Sequence, residues 1–218
     1  MSYIALLDAI FSKKRKAGKI TFKRELKPQV VVYKWKNEFA YTAPFKILSS
    51  NLLDEDMICT RIEMKHPEFV KRKEYYLFCE EINSIFNPEI TIRTLTYQDE
   101  DRLAAMKEEC CKEDIDVANI SVYEGEVVGA FLNQKLVGVC SCDSFFGMLD
   151  LAILVHPDYR RQKIASTLLS ISAQKAIDKE GICLYRVDDF NIASYKTASL
   201  LGFEKKIEVI FYELEENR

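Results

Sequence analysis

HPDYRRQKIASTLL, residues 156–169, follows directly on the apolar run LDLAILV at 149–155. The run has the length and composition of a buried β-strand. Beyond the basic turn, apolar residues recur at helical spacing until Gly181, which predicts a helix over Lys163–Lys179 closed by that glycine. A strand passing through a turn into a helix exposes the first helical amides, which have no intrahelical acceptor, and adds the positive end of the helix dipole. Such an end is an anion site, and a pyrophosphate suits it. Arg160, Arg161 and Lys163 bring full positive charges to it, and Ser166 and Thr167 bring hydroxyls one turn in.

Outward from this point, ITIRTL (90–95) reads as a strand and DEDRLAAMKEECC (99–111) as a helix. EVVGAFLN (126–133) and KLVGVCSC (135–142) read as strands joined by a short Asn133-Gln134 turn. MLDLAILV precedes the basic turn, ICLYRV (182–187) is a further strand, and IASYKTASLLG (192–202) is a helix ending at Gly202. FEKKIEVIFYEL (203–214) reads as a final pair of strand segments. The N-terminal part opens with a short apolar helix, Ile4–Phe11, followed by the basic KKRKAGK. QVVVYKW (29–35) and FAYTAPF (39–45) are strand-like, MICTRIEM (57–64) suggests a third strand, and EFVKRKEYYLFCEEINSIF (68–86) has the spacing of an amphipathic helix. Asn87-Pro88 breaks that pattern and sets a boundary between 1–89 and 90–218. The sum is an α+β (mixed α/β) protein: a central mixed sheet flanked by helices, preceded by a smaller α+β N-terminal domain.

Composition narrows the function. Of 218 residues, 48% are hydrophobic and 30% charged, ordinary for a globular protein. No apolar run approaches the roughly 20 residues of a membrane helix, and the N-terminus lacks a cleavage signal, so no membrane partner is expected. Seven cysteines without a CxxC pair suggest reduced thiols and a cytoplasmic location. With two histidines, neither at ligand spacing from the cysteines, no metal is expected. Residues 1–89 carry 16 Lys and Arg against 12 Asp and Glu, or +4; residues 90–218 carry 15 against 22, or −7. The basic run Lys13–Lys16 lacks aromatic interleaving, so nucleic acid is not an expected partner.

The stretch LDLAILVHPDYRRQKIASTLL resembles the acetyl-CoA-binding core of the GNAT superfamily of acyltransferases. That pattern is Arg/Gln-x-x-Gly-x-Gly/Ala after a strand; here Arg160 takes the first position, Lys163 the first glycine and Ala165 the second. NIASYKTASLLGF is similar to the family's second signature through Asn191, Ser194, Gly202 and Phe203. VVGAFLNQKLVGV resembles its second and third strands, so the likeness spans about residues 90–218.

The resemblance implies an N-acetyltransferase moving acetyl from acetyl-CoA to a primary amine, on a small molecule or peptide, by direct attack. Ile153, Leu154 and Val155 would pair with pantetheine through backbone groups. The Arg161–Ser166 amides, with Gln162, Lys163, Ile164 and Ala165 between, would hold the pyrophosphate; Asn191 and Ser194 would adjoin the pantetheine arm. Lys163 in place of glycine is expected to sit in helical backbone with negative φ, its ammonium reaching towards phosphate. The family's usual acid is a tyrosine seven residues after the asparagine. That position is Ala198, and Tyr195, one turn earlier, is the substitute, with solvent water the alternative. Asp150, between Leu149 and Leu151, is the candidate base: an apolar setting would raise its pKa into a useful range, although a structural Asp in a turn is the competing reading. Asp188 and Asp189 are alternatives for attracting an ammonium group. A non-catalytic acyl-CoA-binding regulatory module is the rival function. The N-terminal domain is expected to help shape the acceptor site, and the chain is compatible with a homodimer.

Overall fold

Asn133 and Gln134 both lie in the left-handed region (φ 48° and 67°), the backbone that a two-residue type I′ hairpin requires. They join β5 (Glu126–Leu132) to β6 (Lys135–Phe145), antiparallel from Leu132↔Lys135 to Glu126↔Cys142. The computed structural model to which this hairpin belongs describes residues 29–35, 38–42, 55–145 and 148–214. The sequence readings at Ile4–Phe11 and Lys13–Lys16 lie outside them.

The described residues divide into two units. The larger holds 77–186 and 191–204. In it β4 (Thr91–Thr94), β5, β6, β7 (Met148–Val155) and β8 (Cys183–Asp188, as far as Arg186) lie in the order β8-β7-β6-β5-β4. The pairs are antiparallel except β7 with β8, which makes the sheet mixed. On one face α2 (Glu100–Glu108) and α3 (Lys112–Ala118) bring Leu103, Met106 and Ala118 onto Val139 and Leu154 in one core. Towards the other face α4 (Ile164–Glu180) buries Ile164, Leu168, Leu169, Ala173 and Ala176, a helical repeat of three and four. Gly181 ends α4 at φ 77°, as its sequence position predicts. α5 (Ile192–Leu200) follows β8.

The smaller unit holds the described residues up to 76, with 187–190 and 205–214. β1 (Gln29–Trp35) pairs antiparallel with β2 (Glu38–Thr42) and with β9 (Glu204–Leu214), and β3 (Phe69–Cys79) lies next to β9. α1 (Glu55–Lys65) sets Cys59 and Ile62 against Val30, Val32, Ile210 and Tyr212.

Three sequence expectations are corrected here. MICTRIEM is helical, because Cys59 and Ile62, three apart, reach one core together. EFVKRKEYYLFC is a strand. Tyr76, Leu77, Phe78 and Cys79 are all buried, which a strand covered on both faces allows and a half-buried helix does not. FEKKIEVIFYEL is one eleven-residue strand instead of two segments. The units also do not follow a single cut at residue 89, since 77–89 belong with the larger unit and 205–214 with the smaller.

α4 lies close to β6 at Gly138, where an added Cβ would stand 2.8 Å from Ile164 Cγ2 and 3.1 Å from Leu168 Cδ1. Both neighbours are buried and cannot swing away. Gly138→Ala should therefore cost about 1–3 kcal/mol through overpacking, read as a lower denaturant midpoint with unchanged slope.

Candidate active site

β7 is the strand from which the site is built. Its parallel ladder with β8 has two residue pairs, Asp150↔Leu184 and Leu151↔Tyr185, although β7 runs on to Val155. On its other side β7 stays paired with β6 as far as Gly138↔Val155. The His156 amide donates to Val137 O at 3.0 Å, on the β6 side. Backbone groups alternate sides along a strand, so Leu154 also faces β6 while Ile153 and Val155 face the β8 side. Leu154 also has its side chain in the core.

After Val155 the chain enters a short 3₁₀ turn, Pro157–Tyr159, fixed by His156. This buried imidazole accepts the Asp158 amide at Nδ1 (3.2 Å), has Lys135 Nζ 3.1 Å from Nε2, and meets the Tyr159 ring edge-on. The basic turn follows. Arg161 has φ 63°, and Lys163, the N-cap of α4, has φ 58° and ψ 15°. The expected helical backbone at Lys163 is thus corrected: the position is left-handed, where a glycine is unstrained and a lysine is not. The first helical bond runs from Thr167 N to Lys163 O (2.9 Å), so the Ile164, Ala165 and Ser166 amides lie in the turn that has no intrahelical acceptor. Ile164 itself is buried, whereas Arg161, Gln162 and Lys163 are exposed.

The basic residues of the turn differ in what they hold. Arg160 donates to Val155 O (3.3 Å) and to the Asp114 carboxylate on α3 (2.7 Å), so its charge is already answered. A hydrogen bond from the Cys111 thiol, together with Arg160, holds the Asp114 carboxyl below the usual carboxylate range. Thr167 is also committed: its hydroxyl donates to Lys163 O (2.9 Å) and accepts the Asn87 amide (2.8 Å). The Asn87 side chain donates to Gln162 O at 2.8 Å. Sequence reading missed Asp114 and Asn87, because the former lies in an acidic helix and the latter in what reads as a linker.

Asp150 is 8% exposed on the α2/α3 face of β7, alternating with Leu151. Its apolar setting does not hold: Arg186 Nε donates to Asp150 Oδ2 at 2.8 Å, and the guanidinium lies 4.2 Å from the Phe145 ring centre. Arg186, the first residue of β8 past the paired stretch, carried no sequence signal. Asp188, in the smaller unit, bonds Arg72 at 2.8 Å, and Arg72 also pairs with Glu74 and Glu213, so this carboxylate is not an open site for an ammonium group. Asp189 is exposed.

On α5, Asn191 is the N-cap, its Oδ1 accepting Ser194 N at 3.1 Å. Ser194 shares a hydrogen bond with Tyr185, whose buried phenol is pushed up to about 12 by burial. Ala198 is buried, so the helix presents a packed methyl at the usual tyrosine position; Tyr195 is half-buried one turn earlier.

A strand whose ladder stops short, next to a left-handed turn opening a helix, can take an extended chain along its edge and an anion at its end. The family model for the acetyltransferase (GNAT) family matches residues 71–203, well over half the chain. Among solved structures, a GCN5-related N-acetyltransferase from Sphaerobacter thermophilus aligns over 88% of this chain and 62% of its own, with TM-score 0.57 and 13% identity. A GNAT-family acetyltransferase from Colwellia psychrerythraea aligns over 67% and 57%, with TM-score 0.52 and 15% identity. A functionally unknown conserved protein from Staphylococcus epidermidis aligns over 77% and 70%, with TM-score 0.55 and 11% identity. At these identities the likeness is one of fold, and the first two matches span under two thirds of the relatives' lengths. No curated protein matches the chain.

The strain at Lys163 is testable without ligand. A left-handed non-glycine residue costs about 1–2 kcal/mol, and glycine returns roughly 0.5–1 kcal/mol of that through its freer unfolded chain. Lys163→Gly should therefore raise stability by about 0.5–1 kcal/mol in chemical denaturation, whereas Lys163→Ala, which keeps a Cβ, should gain nothing.

Proposed function

The chain belongs to the GNAT acetyltransferase family, an acyltransferase family, and we propose that it moves acetyl from acetyl-CoA to a primary amine of a small molecule or peptide. The observation carrying this reading is the β7–β8 ladder that ends at Leu151↔Tyr185 while β7 continues to Val155, beside the left-handed turn into α4. The residues suit the coenzyme. Ile153 and Val155 offer backbone groups to a pantetheine arm, and the amides opening α4 suit a pyrophosphate, with Arg161 and Lys163 adding charge. Seven free thiols favour a reducing, cytoplasmic setting. Among the described residues no helix is long and apolar enough to cross a membrane.

In this reading the neutral amine attacks the thioester carbonyl directly. Asp150 takes the amine proton, directly or through one water, as the C–N bond forms; the C–S bond then breaks and Tyr195 or water protonates the thiolate. Arg186 holds the Asp150 carboxylate in one orientation. Asn191 and Ser194, at the start of α5, are assigned to the pantetheine side. The buried Ala198 favours a second reading, an acyl-CoA-binding module without turnover. Thiol release with polyamines, aminoglycosides, amino acids and peptides separates the two.

Asp150→Asn keeps the shape and removes the basicity. It should lower kcat by about 10²–10⁴-fold while CoA affinity stays put. An Asn variant retaining more than about a third of kcat would make Asp150 a structural partner of Arg186 only. Lys163→Glu should weaken CoA clearly in calorimetry, since it opposes both the dipole and the phosphate charge.

A further inference from the structure

The segment before β4 runs along the start of α4 and is fastened to it by three hydrogen bonds and to the turn before it by a fourth. Ile85 N donates to Ser170 Oγ (2.9 Å), and Ser170 Oγ donates back to Ile85 O (3.3 Å). Nearer the turn, Asn87 N donates to Thr167 Oγ1 (2.8 Å) and Asn87 Nδ2 to Gln162 O (2.8 Å). Asn87 Oδ1 accepts the Glu89 amide at 2.8 Å across Pro88, an Asx turn, and the proline biases Asn87 towards extended backbone. Both polar atoms of the Asn87 side chain are therefore engaged, the oxygen locally and the amide across the fold.

One carbonyl of the basic turn hangs on this residue, and the next is held by α4 itself. Gln162 O accepts the Asn87 side-chain amide, whereas Lys163 O accepts the Thr167 amide and hydroxyl, and that hydroxyl in turn accepts the Asn87 backbone amide. Gln162 lies between the two left-handed residues Arg161 and Lys163, where the direction of each peptide decides whether an oxygen or an N–H faces an incoming anion. A carbonyl oxygen facing a phosphate would repel it; the Gln162 oxygen is instead drawn to Asn87. We infer that Asn87 is a positioning residue of the coenzyme site, turning the Gln162 carbonyl aside so that the amides opening α4 meet the pyrophosphate. This rests on the coenzyme reading above and adds a residue outside the stretch that carries the family's glycine pattern.

The test compares two breaks in the same segment. Asn87→Ala removes the bond to Gln162, and Asn87→Ser does so while keeping an oxygen for the Glu89 amide, which guards against a folding failure. Ser170→Ala breaks the attachment one turn farther along α4. With the full chain in calorimetry, both Asn87 variants should raise the Kd of CoA and of ADP, a probe with the pyrophosphate but no pantetheine, by roughly 3- to 10-fold. Turnover of acetyl-pantetheine, which lacks the pyrophosphate, should not change, and neither should the KM for the amine. Ser170→Ala should lower Tm and leave the ADP Kd alone. The inference is overturned if both Asn87 variants bind ADP like the parent, if Ser170→Ala weakens ADP equally, or if acetyl-pantetheine turnover falls in step. A parent protein that binds neither CoA nor ADP would instead overturn the coenzyme reading and this inference with it.

Discussion

Asp150↔Leu184 and Leu151↔Tyr185 are the two residue pairs that join β7 to β8, and where that ladder stops decides what the larger unit can bind. A strand whose backbone is fully paired offers nothing to a ligand; one that continues past its partner offers N–H and C=O groups in register along one edge. β7 stays anchored to β6 through Val155, so the exposed edge is held rigid from behind. Packing supplies the rest of the stiffness, with Leu154 in the α2/α3 core on one face and Gly138 letting α4 close on the other.

The end of β7 then has to become a helix within a few residues. The chain does this with two left-handed residues, neither a glycine, and so stores strain at the point assigned to the coenzyme. Strain of this kind persists only where the surroundings over-determine the backbone. Here they include His156 beneath the 3₁₀ turn, Arg160 bonded to Val155 O and Asp114, and Thr167 and Asn87 gripping the carbonyls. The turn is thus prearranged by neighbours from β6, α3 and the segment before β4.

Electrostatics follows the same pattern of local answers within a negative whole. Residues 90–218 carry a net −7, yet Asp150 is paired with Arg186, Asp114 with Arg160, and Asp99 with Arg93. The Arg93 guanidinium and the Thr96 amide hold the Asp99 carboxyl far below its usual range, which serves the capping box of the 3₁₀ turn Tyr97–Asp99 and has no bearing on the site. An acidic surplus is therefore no guide to where a cationic acceptor sits; which carboxylate lacks a fixed cation is a property of the folded chain.

The sequence by itself determined the elements that local physics governs. The Asn133-Gln134 hairpin and the helix after the basic turn, closed by Gly181, follow from turn chemistry and periodicity, which act over a few residues. The basic turn's link to an acyl-CoA family was legible for the same reason, since strand, turn and helix are contiguous. Tertiary structure decided the rest. MICTRIEM and EFVKRKEYYLFC exchange helix and strand because burial against Val30 and Ile210, or on both faces of a strand, outweighs a weak local pattern. Asp150 meets Arg186 across 36 positions and Asn87 meets Gln162 across 75, and no spacing rule reaches that far. The left-handed backbone at Lys163 is the sharpest case: lysine carries no sign of it, and the Gln162 carbonyl just before it is held from a segment 75 positions away.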